Sequence, residues 1–226
     1  QAASGNAGSD NLYVEDVFST YLYDGQATSL AIDNGLDLDG KGGLTWIKAR
    51  TDAASHSLFD TERTLSTRLI SNSTNAEQLL SGAFTSFNSN GFTLAGNTGS
   101  LNDPLHSFAS WSFRKAEKFF DIQTWTGTGA SSRTIAHSLG SVPAFMIVKG
   151  SSNTSGWLTY HTSLGATQYV QLQSTAAAAT YPIWDDTTPT DSVFSIGSYG
   201  DLNENGVTYV AYLFASDAGG FGEDGT

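Results

Sequence analysis

The chain has 226 residues, a formal net charge of −12 and no cysteine. These features exclude disulfides, zinc–thiolate sites and cysteine nucleophiles, and the acidic balance disfavours nucleic acid and anionic membrane surfaces as partners. With 13 Phe, 9 Tyr and 5 Trp, the chain has enough apolar material to fold without a metal, and no run of 18 apolar residues predicts a membrane span.

From the beginning of the chain, residues 1–16 predict a flexible linker, because Gln1 to Asp10 are mostly small and carry no signal-peptide features. We predict one β unit over residues 17–115 and a second over 116–217, followed by a glycine-rich tail over 218–226. The junction Lys115–Lys118 is too short for a tether, so the two halves are expected to pack directly. The ends are typical of joints in a longer polypeptide.

Five segments of the first half recur in the second half in the same order, at offsets of 101 to 103 residues. Their anchor pairs are Ile32 with Ile135, Lys48 with Lys149, Ser73 with Ser174, Phe92 with Phe194 and Phe113 with Phe214. Repetition at a fixed period indicates an internal duplication. The alternative is that glycine-rich β chains resemble one another by composition.

The repeated segments are typical of strands. Val207 to Phe214 is a short apolar run that predicts a strand buried on both faces. In Ser107 to Phe113, Phe108 and Trp111 fall on opposite faces, which a bulge near Ala109–Ser110 would reconcile. The predicted fold class is all-β: two tandem β-sandwich (jelly-roll-like) halves related by internal duplication, either separate or fused into one larger sandwich.

Few residues offer chemistry. His137 lies in a predicted turn, while His56 and His161 are expected to be partly buried structural residues. Asp60–Arg63 carries two carboxylates and an arginine, which would suit glycosidase chemistry, but an arginine–carboxylate pair that holds a loop is the favoured interpretation. We therefore predict no catalytic residue.

Two acidic turns are candidate cation sites. Asp201 to Gly206 matches the opening of a calcium loop but has Tyr212 in place of the closing glutamate, so we predict a tight hairpin without an ion. Asp33, Asp37 and Asp39 form the other acidic turn. We predict no metal and no cofactor.

Tryptophans supply the one candidate surface for a ligand. Trp125, Trp157 and Trp184 could form a platform for sugar stacking, the last two from loop-like contexts. Core packing is the default interpretation for all three, and no ligand-binding residue is assigned.

Several segments resemble an uncharacterised structural-protein domain of marine and cyanobacterial bacteriophages. The likeness covers about Leu12 to Asp217, and it is carried by the segments Val14–Tyr23, Gly42–Lys48, His56–Arg63, Trp111–Lys115, Phe119–Asp121 and Tyr209–Ala215. The motif H-x-L-G-x-x-P, from His137 to Pro143, also resembles repeat units of phage fibres. The resemblance implies a virion setting and transfers no catalytic residue.

The predicted function is a non-catalytic structural module on the virion exterior, either a tail-fibre or receptor-binding domain or a capsid decoration. Its expected partners are other virion proteins and a host surface glycan, with no nucleic acid and no membrane, and it is expected to be a homo-oligomer within the particle. The alternatives are a glycan-degrading depolymerase and a cellular secreted carbohydrate-binding or adhesin module.

Overall fold

The computed structural model describes residues 12–216, which contain 5% helix and 44% strand. Residues 1–11 of the linker predicted over residues 1–16, and the whole tail predicted over residues 218–226, lie outside the described residues. Residues 12–16 include a 3₁₀ turn, Val14–Asp16, and the carbonyl of Asp16 accepts a hydrogen bond from Arg114 Nε at 2.7 Å. No helix among residues 12–216 is long and apolar enough to cross a membrane.

The first half forms two antiparallel sheets and a short β ladder around one α-helical turn, α1 (Leu38–Lys41). Its strands are β1 (Phe18–Asp24), β2 (Leu30–Asp33), β3 (Gly43–Ala49), β4 (Ser57–Asp60), β5 (Thr67–Arg68), β6 (Gln78–Leu79), β7 (Phe84–Asn88), β8 (Gly91–Leu94) and β9 (Ser107–Arg114). The larger sheet has the order β1-β9-β3-β4, the smaller one has β2-β8-β7, and β5 pairs with β6.

The second half has a related arrangement of strands, but its one helical turn, α2 (Gly200–Asn203), lies before its last strand, whereas α1 lies after β2. Its strands are β10 (Phe120–Thr126), β11 (Ser132–Ala136), β12 (Pro143–Gly150), β13 (Trp157–His161), β14 (Gln168–Gln171), β15 (Ala179–Thr180), β16 (Val193–Gly197) and β17 (Thr208–Ala215). The larger sheet has the order β10-β17-β12-β13-β14-β15, and the smaller one pairs β11 with β16.

The all-β prediction is confirmed, and each half has its own pair of sheets. Strand order repeats between the halves, and so does strand register. Trp46 lies opposite Trp111 in the first half, and Ile147 lies opposite Tyr212 in the second. The predicted equivalence of these positions therefore matches the pairing, while the origin of the two halves by duplication stays a prediction.

Three apolar clusters divide the molecule into four layers of sheet. One lies between the two sheets of the first half and includes Phe84 and Phe108, and another lies between those of the second half and includes Trp184 and Phe194. The third cluster, here called the seam, joins the two larger sheets face to face. Its buried members are Leu44, Leu58, Leu69, Phe120, Ile122, Ile147, Trp157, Val210 and Tyr212.

The central strands are buried on both faces, as predicted for Val207 to Phe214. In β17, Tyr209, Ala211 and Leu213 face the second core, while Val210 and Tyr212 face the seam. The bulge predicted near Ala109–Ser110 is absent, because β9 pairs with β1 and β3 without a register shift. Phe108 packs in the first core and Phe113 against the seam, so the two faces of β9 need no bulge to reconcile them.

Trp157 fastens the seam. This residue of the second half is fully buried in the seam. Its Nε1–H donates to the carbonyls of Ile70 and Ser73 in the first half at 3.0 and 2.9 Å. Two backbone hydrogen bonds support this contact, from Glu77 N to Ser151 O and from Ser155 N to Thr74 O. Hydrogen-bonded loops and apolar packing therefore hold the halves together.

We expect Trp157→Phe to lower the free energy of unfolding by about 1–3 kcal/mol, because it removes both indole hydrogen bonds across the seam, one to a buried and one to a partly buried carbonyl. The loss should be larger than for Trp184→Phe, since Trp184 Nε1 donates one bond within its own half, to Gln168 O at 3.2 Å. Urea denaturation of both variants provides the measurement. Equal losses, with no separation of the unfolding transitions of the two halves, would contradict a fastening role for Trp157.

Candidate functional site

The cluster Asp60–Arg63 lies at the seam, where the end of β4 meets the second half. Arg63 Nε lies 2.8 Å from Asp60 Oδ2, and Arg63 Nη1 lies 3.1 Å from Glu77 Oε2. The second Asp60 oxygen accepts hydrogen bonds from the backbone N–H groups of Glu62 and Arg63. The arginine–carboxylate pair favoured from the sequence is present, and it does hold a loop.

Tyr212 completes this cluster from the other half. Its hydroxyl donates to Asp60 Oδ2 at 2.7 Å. Burial and then the charge of Asp60 raise the pKa of Tyr212 well above its ordinary value, so the hydroxyl stays protonated and keeps donating. No local sequence pattern pairs Asp60 with Tyr212, because the two residues are 152 positions apart.

A cleft opens beside this network, between the halves, with a volume of about 240 Å³. It is lined by Glu62, Arg63, Thr64 and Glu77 from the first half and by Thr124, Ser151, Thr208 and Tyr209 from the second. Both glutamates are ion-paired: Glu62 Oε1 with Lys115 Nζ at 2.7 Å, and Glu77 with Arg63. The cleft therefore presents carboxylates that already hold cationic side chains of the chain itself.

A second cleft, of about 320 Å³, lies on the first half near α1 and β7. Its lining includes Asp39, Thr61, Arg63 and Phe87. Asp37, two residues before Asp39, caps α1 by accepting a hydrogen bond from Gly40 N at 2.7 Å. One carboxylate of the acidic turn Asp33–Asp39 therefore has a capping role.

Asp201 to Gly206 does not form the predicted hairpin. The segment contains α2 and then a turn in which Val207 N donates to Glu204 O, with Gly206 at φ +83°. It connects β16 in one sheet to β17 in another, so the flanking strands do not pair with each other. The Asn-Gly dipeptide made the turn recognisable, but nothing local indicated that the chain changes sheets there.

The side chains of this segment bind protein groups. Asn203 is buried, accepts a hydrogen bond from Thr128 N and donates to Ala130 O, both at 2.9 Å. Asp201 Oδ2 lies 3.4 Å from Gly156 N. Over residues 12–216, no group of three or more His, Asp or Glu side chains is placed to hold a metal ion.

The alternative of a tryptophan platform for sugar stacking is contradicted by the burial of all three side chains. Trp125, Trp157 and Trp184 are 8%, 0% and 0% exposed, and each indole N–H donates to a backbone carbonyl. Trp157 is also the first residue of β13 rather than part of a loop. Core packing, the default interpretation, is what the structure contains.

The histidines have separate local roles. His56 Nδ1 accepts from Trp46 Nε1 at 2.8 Å, and burial, followed by the charge of Lys48, lowers the pKa of His56. His137 is buried, its Nδ1 accepts from Leu139 N, and burial lowers its pKa as well. His161 was expected to be partly buried but is exposed at the end of β13.

The motif from His137 to Pro143 has a structural explanation. Leu139 is fully buried in the second core, Gly140 adopts a left-handed φ of +64°, and Pro143 is the first residue of β12. A residue with a side chain is strained at such a φ, which is why glycine suits that position. The motif therefore defines a turn between strands, with a leucine anchoring it.

Lys149, which the repeat pairs with Lys48, is a buried charge that the sequence around it does not predict. Its side chain is fully buried on β12, and its Nζ donates to Gly150 O, Asn153 O and Ser155 Oγ at 2.6, 3.3 and 3.1 Å. Lys48 makes the equivalent contacts in the first half, to Ala49 O and Asp52 O. Burial lowers the pKa of Lys149 to about 8, and the charge of Asp201 partly opposes this.

These observations define the class of protein: an all-β chain whose two sandwich halves are joined through a seam with a buried polar network. The chain belongs to the family described as domain of unknown function DUF7483, whose model matches residues 14–226. Neither the search of curated proteins nor the search of solved structures gave a match.

We expect Asp60→Leu to lower the free energy of unfolding by about 3–5 kcal/mol, because it removes the buried carboxylate that pairs with the buried Arg63 guanidinium and leaves Arg63 only the partly exposed Glu77. Tyr212→Phe removes only one hydrogen bond and should cost about 1–2 kcal/mol. Chemical denaturation of the two variants gives the comparison. If Asp60→Leu were no more damaging than Tyr212→Phe, the ion pair would not be the main element of the network.

Lys149 should make stability rise with pH between about pH 8 and 10. The unfolded chain binds its proton with an ordinary lysine pKa of about 10.4, whereas the folded chain releases it near pH 8. In that interval the unfolded state holds more protons, so the free energy of unfolding increases with pH. The penalty for burying the charge is fully present below the folded pKa.

Denaturation of the wild type and Lys149→Met at pH 7.5, 8.5 and 9.5 measures this effect. The stability of the wild type relative to the variant should increase with pH. Lys48→Met is the matched control for the loss of loop hydrogen bonds at the partly exposed equivalent position. A difference between wild type and Lys149→Met that stays constant with pH would contradict the prediction.

Proposed function

We propose that this chain is a non-catalytic structural module on the exterior of a bacteriophage particle, in a tail-fibre or receptor-binding role or as a capsid decoration. The observation that carries the proposal is the seam. Asp60 and Trp157, whose side chains suit acid–base chemistry and sugar stacking, instead bind one half of the molecule to the other, and Arg63 holds Asp60 in place. A chain whose polar and aromatic side chains are used to join its two halves is suited to be a rigid structural module.

The seam supports a mechanical role for this chain, because it joins the two halves through three kinds of contact. Apolar side chains of the two larger sheets pack together, aromatic rings meet across the boundary, and hydrogen bonds connect loops of both halves. Phe113, from the first half, has its ring centroid 5.5 Å from that of Phe120 and 5.4 Å from that of Phe214. A module that resists separation of its halves is suited to a position exposed to shear.

Charge supports an exterior position. A chain of formal charge −12 would be repelled by packaged DNA, because the genome presents one phosphate charge per about 1.7 Å of helix axis. Neighbouring copies would also repel one another, although at high salt this repulsion reaches only about 3–8 Å. A position outside the particle avoids repulsion by the DNA, and the short range of the repulsion between copies at high salt still allows them to lie close together.

Between the two exterior roles, we favour the fibre or receptor-binding one. The reason is the resemblance of the segment His137–Pro143 to phage fibre repeats, together with the turn and core roles that the structure gives its residues. Partners in this role are other virion proteins and a host surface glycan, and copies are repeated by the symmetry of the particle.

Surface labelling of intact particles tests the location. A membrane-impermeant amine reagent should modify Lys41 and Lys118, which are exposed, and should leave the buried Lys149 unmodified as an internal control for folding. Peptide mass spectrometry reads out the sites. Labelling of Lys41 and Lys118 only after particle disruption would place the domain inside and contradict the proposal.

The purified chain should release no sugar from host surface glycan. Reducing-end assays measure this, with Glu62→Gln and Asp60→Asn as variants. Glycan cleavage by the wild type that is lost in either variant would overturn the non-catalytic assignment and establish the depolymerase alternative.

A further inference from the structure

Strand β1 forms an open edge of the larger sheet of the first half, and we propose that it pairs with β1 of a second copy of this chain. The two strands run antiparallel about a two-fold axis at Tyr21, so that two four-stranded sheets become one. This contact deepens the structural-module role proposed above and rests on that role for its biological setting alone.

The ladder with β9 determines which backbone groups of β1 face outward. Arg114 N donates to Val17 O at 2.7 Å, and Gly25 N donates to His106 O at 2.9 Å, so the odd-numbered residues of β1 bond to β9. Backbone groups alternate in direction along an antiparallel strand. The N–H and C=O groups of the even-numbered residues therefore point away from β9, and no strand among residues 12–216 pairs with them. These residues are Phe18, Thr20, Leu22 and Asp24.

The other ends of the two larger sheets are short or guarded. On β4, Leu58 exchanges two hydrogen bonds with Leu69, at 2.9 and 3.1 Å. On β10, the counterpart of β1, Phe120 exchanges two with Ala116, at 3.1 and 3.0 Å. The remaining end, β15, has two residues. Native proteins protect a longer edge with lysine, proline or a covering segment, and β1 contains neither lysine nor proline.

The side chains of β1 favour a neutral partner strand. Residues 17–23 include no charged side chain, although the whole chain has a formal charge of −12. Leu22 is 57% exposed, and Phe18 and Tyr21 are half-buried. A strand added at this edge satisfies the outward backbone groups and covers these apolar side chains. The occupant that these features select is an uncharged extended strand, and β1 of another copy is such a strand.

The outward residues limit the register of self-pairing, because even-numbered residues must face even-numbered ones. An axis at Tyr21 pairs all four outward residues and sets Asp24 opposite Phe18 of the second copy. It also sets Tyr21 opposite its own counterpart, as an aromatic cross-strand pair. An axis one residue earlier would set Asp24 opposite Asp16, and like charges placed opposite each other are destabilising. An axis one residue later would set Phe18 opposite a residue outside β1.

This contact ends at two copies. Each copy uses the same edge, which is the geometry of an isologous two-fold interface. The far end of each four-stranded sheet is β4, whose outer edge is already engaged by Leu69. The joined sheet therefore offers no further open strand of the larger sheets, and the assembly is a closed dimer rather than a fibre.

Sedimentation equilibrium of the purified chain measures the dimer. We expect a mass approaching twice 23.9 kDa. Association should be stronger in about 0.5 M NaCl than in about 0.05 M, because salt screens the repulsion between two acidic copies. Leu22→Pro removes an outward N–H and leaves the ladder to β9 intact, so it should weaken the dimer about tenfold or more.

Thr124→Pro is the matched control for Leu22→Pro. Thr124 occupies the equivalent outward position of β10, since Ala215 N donates to Phe119 O and Gly127 N donates to Val207 O, which turns the odd-numbered residues toward β17. This variant should dimerise as the wild type does. Circular dichroism compares the folding of the two proline variants.

Cysteine cross-linking tests the register in a chain that has no cysteine of its own. The pair at the axis is not hydrogen-bonded, and such pairs have Cα atoms about 4.5 Å apart, which a disulfide can span. Tyr21→Cys should therefore give a disulfide-linked dimer on mild oxidation. Ser19→Cys, on the same face of β1, is the control, because Ser19 faces Tyr23 of the second copy and should stay unlinked.

Self-pairing is overturned if the wild type stays monomeric at the higher salt concentration, which would leave the edge to a strand of a different protein. It is also overturned if Leu22→Pro folds and dimerises as the wild type does, or if Ser19→Cys links as readily as Tyr21→Cys. Should Leu22→Pro fail to fold, the two cysteine variants decide. All of these measurements use the purified chain, so failure here is distinguishable from failure of the surface-labelling test.

Discussion

The face-to-face contact of the two larger sheets is the constraint on which the rest of the molecule depends. Because those sheets are covered on both sides, their central strands must be apolar on both faces, and β17 meets that demand from Tyr209 to Leu213. The smaller sheets then cover the outer faces only. The result is a molecule of four layers in which the middle boundary, the seam, determines how the halves are oriented.

A purely apolar seam would leave that orientation weakly defined, since apolar surfaces pack in several ways. The buried contact of Tyr212 with Asp60 and Arg63 adds direction, because its hydrogen bonds form in one arrangement only. Buried ion pairs often contribute little net stability compared with apolar side chains of similar size. We interpret this network as a device for specificity, whose removal one partner at a time would still be costly.

The strands of the fold could be predicted from the sequence, and so could the register equivalence of the halves, because both depend on local patterns that recur. The positions of Ile32, Phe92 and Phe113 relative to their counterparts follow directly from the offsets. What the sequence could not supply was the direction in which each loop leaves its sheet. Asp201–Gly206 was assigned to a hairpin for that reason, although its turn chemistry was recognised.

The absence of long-range information in local sequence patterns also explains why the contacts of the candidate site could not be predicted. Trp157 and Trp184 lie among polar and small residues, a context typical of exposed loops, and only the packing of distant segments buries them. The contact of Asp60 with Tyr212 joins residues from different halves, so no spacing could reveal it. Burial of the indoles and exposure of Tyr181 both depend on which segments the fold brings over them, which local composition does not encode.

The repeated architecture also separates what the fold requires from what one half has added. Lys48 and Lys149 make equivalent contacts with the loop that follows their strands, so this lysine belongs to the shared plan of both halves. Arg68 and Tyr169 occupy equivalent register positions but differ completely in chemistry. Where two otherwise parallel halves diverge in this way, the shared strand register does not determine which side chain the position carries.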